Sequence, residues 1–566
     1  MLARRLAAWV WVLALWLLLS SAITAAQNAS ASSGGQNDSG QVQEGFKIAG
    51  TAVNAVTGAP LERVRVSLAN TRARNQRIEM VTGAGGQFEF NGVPAGKYSL
   101  QGAKRGYLTS SYEQHEQYST AIVTGPEFAT AKLVLRLMPM AVISGHVLDE
   151  SGEPVRHAQV RLFLEDHSGG MSRVVPAAGG SGTDDRGYFD FNLLRPGRYF
   201  VSVSATPWYA VHAVAGQGGR ESARGISPAL DVAYPTTYYG GATESDGAVP
   251  IDLKGGEKQE VEIRLRPVAA LHLMVRVPVA TSGENADPAN TFRFPMLQKR
   301  VFDSVQPVNP GQVQQVSPGV IEVTGIAAGR YDVRLRSTNP EEAANFSEID
   351  LEDDSQDLDV TQALTLAKLT VKLEGGETLP RQYAVGLRDE RNRIVAFAPG
   401  DASKQVSFTA VKPGKYAIVV MAQGKNYVVT RTIAGGEERA GHDVDVASGA
   451  RFEVRAQLVE GVVGVEGVVE KNGKPVAGVM VVLVPQDADR NLELFRRDQS
   501  DFDGTFLLPG VAPGTYAIVA VEGAWGFEWL KAGVLARYSQ HGQEVIISDH
   551  MRGTVHLPEA VEVQTR

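Results

Sequence analysis

The chain of 566 residues contains no cysteine. No disulfide can staple any part of it, and no lipid can be attached through a thiol. Each domain must therefore hold together by its own buried core, which units of roughly 90 residues or more manage without covalent help. Long apolar runs are missing after residue 26, and residues 559–566 are polar, so no anchor is expected there. A basic cluster is missing too. The formal net charge is -8 and Lys and Arg are scattered, which leaves no electrostatic footprint for nucleic acid. Apolar residues at helical spacing are scarce. Neither a Gly-x-Ser-x-Gly elbow nor a Gly-x-x-x-x-Gly-Lys phosphate loop is present, which removes the usual serine-hydrolase and nucleotide signatures.

What the chain does have is glycine, 60 residues of it, and runs rich in Val, Thr and Tyr. That balance favours an all-β chain. One hydrophobic core cannot serve this length, so about four or five domains of roughly 100–150 residues are expected. At the N-terminus, Arg4 and Arg5 precede an apolar run over 6–19 and small residues over 20–26. This reads as a secretory signal peptide, 1–26, cleaved near Ala26. The alternative is an uncleaved anchor, because 6–26 is just long enough for a hydrocarbon layer of about 30 Å. Export implies a periplasmic, cell-surface or secreted protein. Residues 27–45 carry almost no large apolar side chain and read as a flexible linker.

One stretch sets the pattern for the rest. From Val142 to Val203 the chain runs through Val-Ile-Ser-Gly-His-Val, Ser-Gly-Glu-Pro-Val, Gln-Val-Arg-Leu-Phe-Leu, Asp-Asp-Arg-Gly-Tyr-Phe-Asp-Phe and Arg-Pro-Gly-Arg-Tyr-Phe-Val-Ser-Val. Val160, Leu162 and Leu164 alternate with other residues, as do Tyr199, Val201 and Val203, which marks strands with one face in a core. Gly152, Pro154, Gly187, Pro196 and Gly197 supply the turns. The same order of parts recurs around Tyr98, Tyr331, Tyr416 and Tyr516. Their spacing, 85 to 132 residues, is domain-sized and too long for a solenoid. The expected modules are 46–138, 139–267 with an aromatic insertion over 205–256, a degenerate 268–366, 367–461, and 462–566 with an aromatic C-terminal extension. The third and fourth lack the opening glycine. In the extension a short helix is expected over 527–538, then strands over 544–547 and 553–557.

The apolar-x-Gly-x-apolar strand, the Gly-x-Pro-Val turn, the Asp-x-x-Gly-x-Phe hairpin and the Pro-x-Gly-x-Tyr turn together resemble the carboxypeptidase regulatory-like domain. The match is strongest in the first, second and fifth modules. The resemblance implies a tandem array of about five small β-sandwiches, transthyretin-like or carbohydrate-binding-like, that stabilise, space or bind and have no catalytic residues. The run Pro-Thr-Thr-Tyr-Tyr-Gly-Gly at 235–241 is similar to exported bacterial proteins built from such modules.

Candidate sites were weighed against plainer readings. His541 and Glu544 have the His-x-x-Glu spacing of a zinc pair, but only 22 residues follow Glu544, with His550 and His556 in adjacent strands. A zinc exopeptidase is therefore a distant third reading. Asp184 to Gly187 and Asp501 to Gly504 carry carboxylates beside a glycine, as calcium loops do, yet lack the remaining oxygen ligands and read as hairpin turns. An internal isopeptide bond from Lys47 fails because 132–137 holds no asparagine.

Aromatic residues are the best functional lead. Trp208, Tyr209, Tyr234, Tyr238 and Tyr239 lie in the second module's insertion, and Trp525 and Trp529 in the C-terminal extension. Such faces at a sandwich rim stack on a sugar ring or anchor a protein partner. The plainer reading is that they cap the open ends of their own cores. The resulting expectation is an exported, non-enzymatic, multidomain binding protein without cofactor or metal, with carbohydrate as the ligand. A cell-envelope scaffold or adhesin that binds protein partners is the alternative.

Overall fold

In a computed structural model, residues 45–73, 77–177, 179–212, 227–277, 294–336, 344–352, 356–359, 363–375, 379–531 and 533–565 are described. Residues 1–26, expected as a signal peptide, and nearly all of 27–45, expected as a linker, lie outside them.

Among the described residues, an opening strand takes an antiparallel and a parallel neighbour five times. Phe46–Asn54 lies between Gln87–Val93 and Leu133–Leu137. Ala141–Leu148 lies between Tyr188–Leu194 and Lys258–Arg264. Leu271–Arg276 takes Val320–Ile326 and Gln356–Asp359, and Ala367–Glu374 takes Gln405–Val411 and Arg451–Gly461. Val463–Lys471 takes Thr505–Val511 and Gly553–His556. A second layer is built each time on an antiparallel pair whose later member begins two residues before the recurrent tyrosine. These pairs are Arg65–Asn70 with Gly96–Ala103, Gln159–Asp166 with Gly197–Ser204, and Phe294–Val301 with Gly329–Arg336. Tyr383–Asp389 with Gly414–Ala422 and Met480–Pro485 with Gly514–Val521 complete the series.

Alternate side chains of the two layers meet in a buried cluster of Val, Leu, Ile, Phe and Tyr. The chain is all-β, as its composition implies, and the stretch 268–366 keeps this pairing although its opening glycine is absent. The fourth and fifth sandwiches depart in one respect. Lys425–Ala434 pairs along Arg451–Gly461 in the fourth, and Val561–Gln564 pairs with both Val463–Lys471 and Gly514–Val521 in the fifth, so each joins its two layers into one nine-stranded sheet.

The glycines of the first two opening strands answer to a close approach by the parallel neighbour. A Cβ on Gly145 would stand 1.9 Å from the Val261 carbonyl oxygen, and one on Gly50 would stand 2.0 Å from that of Leu133. Backbone cannot yield as a flexible side chain does. Gly145→Ala should therefore cost about 1–3 kcal/mol through displacement of Lys258–Arg264, read as a fall in denaturation midpoint.

The recurrent tyrosines are corners. Each hydroxyl donates to the carbonyl four residues upstream: Tyr98 to Pro94 at 3.1 Å, Tyr199 to Arg195 at 2.8 Å, and Tyr331 to Ala327 at 2.7 Å. Tyr416 to Lys412 and Tyr516 to Ala512, both at 2.8 Å, complete the set. All five rings are buried, so each phenol needs a partner, and the bond closes the turn that Gly-x-Tyr makes.

The helix expected over 527–538 is mostly not one. A 3-10 turn, Ala524–Gly526, and a single α-turn, Ala536–Ser539, flank an irregular run. Trp525, Phe527, Trp529 and Leu530 do not share one helical stripe, and they pack instead on the outer face of the fifth sandwich, around Met480, Val482 and Val519. The following strands, Gln543–Ile547 and Gly553–His556, lie close to the expected positions. Among the described residues no helix is long and apolar enough to cross a membrane. The residues Gly45–Arg566 form one compact unit, so the sandwiches within it dock on one another rather than stand apart.

Candidate functional site

The aromatic extension of the fifth sandwich lies against the first and second. Arg497, on the edge strand Arg496–Gln499, has a side chain only 3% exposed. Its guanidinium stands 4.6 Å from the Trp529 ring centre, 4.9 Å from that of Tyr118 and 5.7 Å from that of Trp525. The same group pairs with the Glu116 carboxylate of the first sandwich and reaches the Ser168 carbonyl of the second at 3.4 Å. Trp525 stacks flat on His115, with ring centres 4.7 Å apart and planes 6° apart, and its indole N–H donates to the Gly478 carbonyl at 3.3 Å. Trp529 lies on Gly170, where a Cβ would come within 2.6 Å of the indole. Both rings are thus covered on at least one face by the protein itself. The Leu530 N–H donates to the Gly170 carbonyl at 2.9 Å, and the Ser172 N–H donates to Glu528 at 3.0 Å.

A polar seam continues beside this cluster. Lys97 of the first sandwich places its ammonium 2.7 Å from Asp501 and 3.5 Å from Asp503 in the fifth sandwich's hairpin. The Gln499 amide donates to Thr120 at 2.8 Å and to the Glu113 carbonyl at 2.6 Å. The carboxylates of this calcium-loop-like hairpin therefore face a lysine. Burial raises the Asp501 carboxyl above its usual range even though Lys97 pulls it down. In the other hairpin, Asp184 accepts the N–H groups of Arg186 at 2.9 Å and Tyr188 at 2.8 Å, as an Asx turn does.

The remaining seams follow the same rule. Arg388 of the fourth sandwich stands 3.0 Å from Glu493 of the fifth, and His442 stands 3.0 Å from its other oxygen. Burial acts to raise the Glu493 carboxyl, but His442 and Arg388 outweigh it and hold the group below its ordinary range. Lys412 sits 3.5 Å above the Phe346 ring of the third sandwich and 3.3 Å from Asp332. Phe302 packs among Phe163, Phe200 and Tyr238 of the second.

The second module's insertion splits its aromatics. Tyr238 is fully buried, and its hydroxyl has no partner among the described residues. Tyr239 packs on the core. The Tyr209 and Tyr234 hydroxyls both donate to the Glu150 carboxylate, the latter at 2.8 Å. Burial and that carboxylate push Tyr209 up to about 12. Trp208 alone stands out, 87% exposed and edge-on to Tyr209 with ring centres 5.7 Å apart. Of the expected aromatics it is the one with a free face. A cleft of about 620 Å³ opens between the second and third sandwiches, lined by Pro235, Val268, Ala269, Leu271, Ala327 and Glu352 among others.

His541 and Glu544 fall at the end of the α-turn and on the next strand, and His556 pairs with Glu466. Among the described residues no three His, Asp or Glu side chains are grouped to hold a metal ion.

The repeated opening-strand, hairpin and tyrosine-corner geometry agrees with the match to known families. Residues 47–126 and 142–222 match the carboxypeptidase regulatory-like domain. These are the first two sandwiches, and the match accords with the motifs read from the sequence. The Bacillus anthracis TIE protein is 11% identical over 75% of this chain and 76% of that one, with a TM-score of 0.18. The minor pilin GBS52 of Streptococcus agalactiae is 13% identical over 42% and 99%, with a TM-score of 0.20. The shaft pilin SpaA of Lactobacillus rhamnosus GG is 11% identical over 39% and 98%, with a TM-score of 0.18. Scores this low carry no argument about partners or activity. No curated protein matches the chain.

Proposed function

We propose that this is an exported, non-enzymatic scaffold of the cell envelope, in which five sandwich modules at 46–138, 139–267, 268–366, 367–461 and 462–566 dock into one platform for protein partners. The observation that supports it is the use of Trp525, Trp529 and Arg497 as glue between the first, second and fifth sandwiches. Side chains spent on internal seams keep the modules in fixed relation, which suits a surface that several partners read at once. Carbohydrate binding stays as a second reading because Trp208 offers an exposed indole of the kind that stacks on sugars.

The test separates the two. The exported protein is immobilised and exposed to envelope extract with and without soluble polysaccharide, beside a glycan array, for wild type and Trp208→Ala. The scaffold reading expects a defined set of retained proteins, unchanged by sugar and by Trp208→Ala. Glycan signals lost with Trp208→Ala, together with no protein retained, would overturn it in favour of carbohydrate. Trp525 and Trp529 are unsuitable probes, since their loss opens a seam.

A further inference from the structure

Four titratable side chains at the boundary of the second and third sandwiches alternate in sign. Glu322, on Val320–Ile326, stands 3.0 Å from His272 Nδ1. Asp231, from the second module's insertion, stands 2.9 Å from His272 Nε2 through one oxygen and 2.9 Å from His212 Nδ1 through the other. All are largely sheltered, with side chains 5% exposed for Glu322, 8% for His212, 19% for His272 and 22% for Asp231. The His212 ring rests on Gly311 and Gly325 of the third sandwich, where a Cβ would come within 2.3 Å and 2.5 Å of it.

A neutral imidazole has one N–H and one lone pair. His272 meets a carboxylate oxygen at both nitrogens, so both contacts are hydrogen bonds only when it is an imidazolium. Loss of that proton turns one contact into a lone pair facing a carboxylate. His212 is different, because its neutral form can still donate from Nδ1 to Asp231. The groups that face His272 are Glu322 from the neighbouring strand and Asp231 from the insertion, both acidic.

Further along, the insertion is fixed to the third sandwich by Lys299, 2.8 Å from Glu244, and by Phe302 against Tyr238, whereas around Asp231 the other links are short. Val232–Ala233 and Val268–Ala269 form a ladder of two residues each, and the Ala270 N–H donates to the Asp231 carbonyl at 2.9 Å. We infer that Glu322, His272, Asp231 and His212 form a proton-operated latch, which docks the stretch 231–233 on the third sandwich while His272 is charged and releases that stretch when the proton leaves. The released segment uncovers Ala233, Ala270 and Ala327, which are buried together, and widens the neighbouring cleft.

The direction follows from the linkage. Burial lowers the His272 pKa, but the two carboxylates outweigh burial and leave it above its ordinary value when docked. A group with a raised docked pKa favours docking fully below its released value, about 6.5, and the preference is lost as pH rises through the docked value. Docking should weaken about tenfold for each pH unit that separates the two values.

Hydrogen exchange of the exported full chain, read by mass at pH 6 and pH 9 and corrected for intrinsic rates, tests this. Protection at Val232, Ala233 and Ala270 is expected to be lower at pH 9 than at pH 6, while Arg65–Asn70 in the first sandwich keeps its protection. In His272→Gln, protection at the same amides is expected to be low at both pH values. Equal protection at pH 6 and pH 9 in wild type overturns the latch. So does an equal fall in Arg65–Asn70, or an undiminished pH response in His272→Gln. The wild-type comparison decides the matter even if that variant does not fold.

Discussion

Arg497→Ala is expected to lower the unfolding free energy by roughly 3–5 kcal/mol, the usual cost of removing one partner from a buried ion pair. Truncation leaves Glu116, 18% exposed, as a carboxylate at the seam without its counter-ion. It also removes the cation that lies near Tyr118, Trp525 and Trp529, so the loss includes packing as well as charge. Arg497→Lys restores the charge but not the flat guanidinium, and it should recover only part of the loss. A denaturant titration followed by tryptophan emission reads both, because Trp525 and Trp529 gain water when the seam opens, whereas Trp208 is 87% exposed already. A cost below about 1 kcal/mol, the scale of an exposed ion pair, would mean that the first and fifth sandwiches are held elsewhere.

That seam marks the limit of what the sequence discloses. Strands, turns and corners are local: Val160, Leu162 and Leu164 alternate because one face of their strand is buried, and Gly-x-Tyr marks a corner because the Tyr199 hydroxyl reaches back only four residues. Such patterns are written in neighbouring residues, so the all-β class was legible. Arg497 and Glu116 are 381 positions apart. No periodicity links them, and a basic residue on an edge strand looks like a solvated one until its partner is in place. Trp525 and Trp529 read as rim aromatics for the same reason, and docking of another sandwich turned them inward. Trp208 keeps the face that the sequence suggested. The chain from Glu322 to His212 was also invisible, since His212, Asp231 and His272 are separated by 19 and 41 positions and match no metal or catalytic spacing. Most of the helix expected over 527–538 is absent because Phe527, Trp529 and Leu530 cover a sheet face at unequal spacing.

Asp498→Asn should stabilise the protein at neutral pH, by about 3 kcal/mol at most. Asp498 lies between Arg497 and Gln499 on the strand that forms the seam, and burial pushes its carboxyl from 3.8 up to about 6, with Asp501 adding to the rise and Lys97 opposing it. The folded protein therefore binds this proton more tightly than the unfolded chain does. Stability falls as pH rises from the unfolded value near 4 to the folded value near 6, and the full penalty is present above that. Some two pH units at about 1.4 kcal/mol each give the stated size. Asparagine removes the charge and keeps an oxygen for the Leu507 N–H, which Asp498 accepts at 2.9 Å. Wild type should thus gain stability between pH 7 and pH 5 relative to Asp498→Asn, and the two curves should converge near pH 4. Loss of stability in Asp498→Asn at pH 7 would show instead that the ionised carboxylate is stabilised at the seam and that Lys97, already 2.7 Å from Asp501, serves it as well. In that case the excess of acid over base at the seam is an attraction rather than a strain, and Lys97→Ala rather than Asp498→Asn becomes the substitution that separates the first sandwich from the fifth.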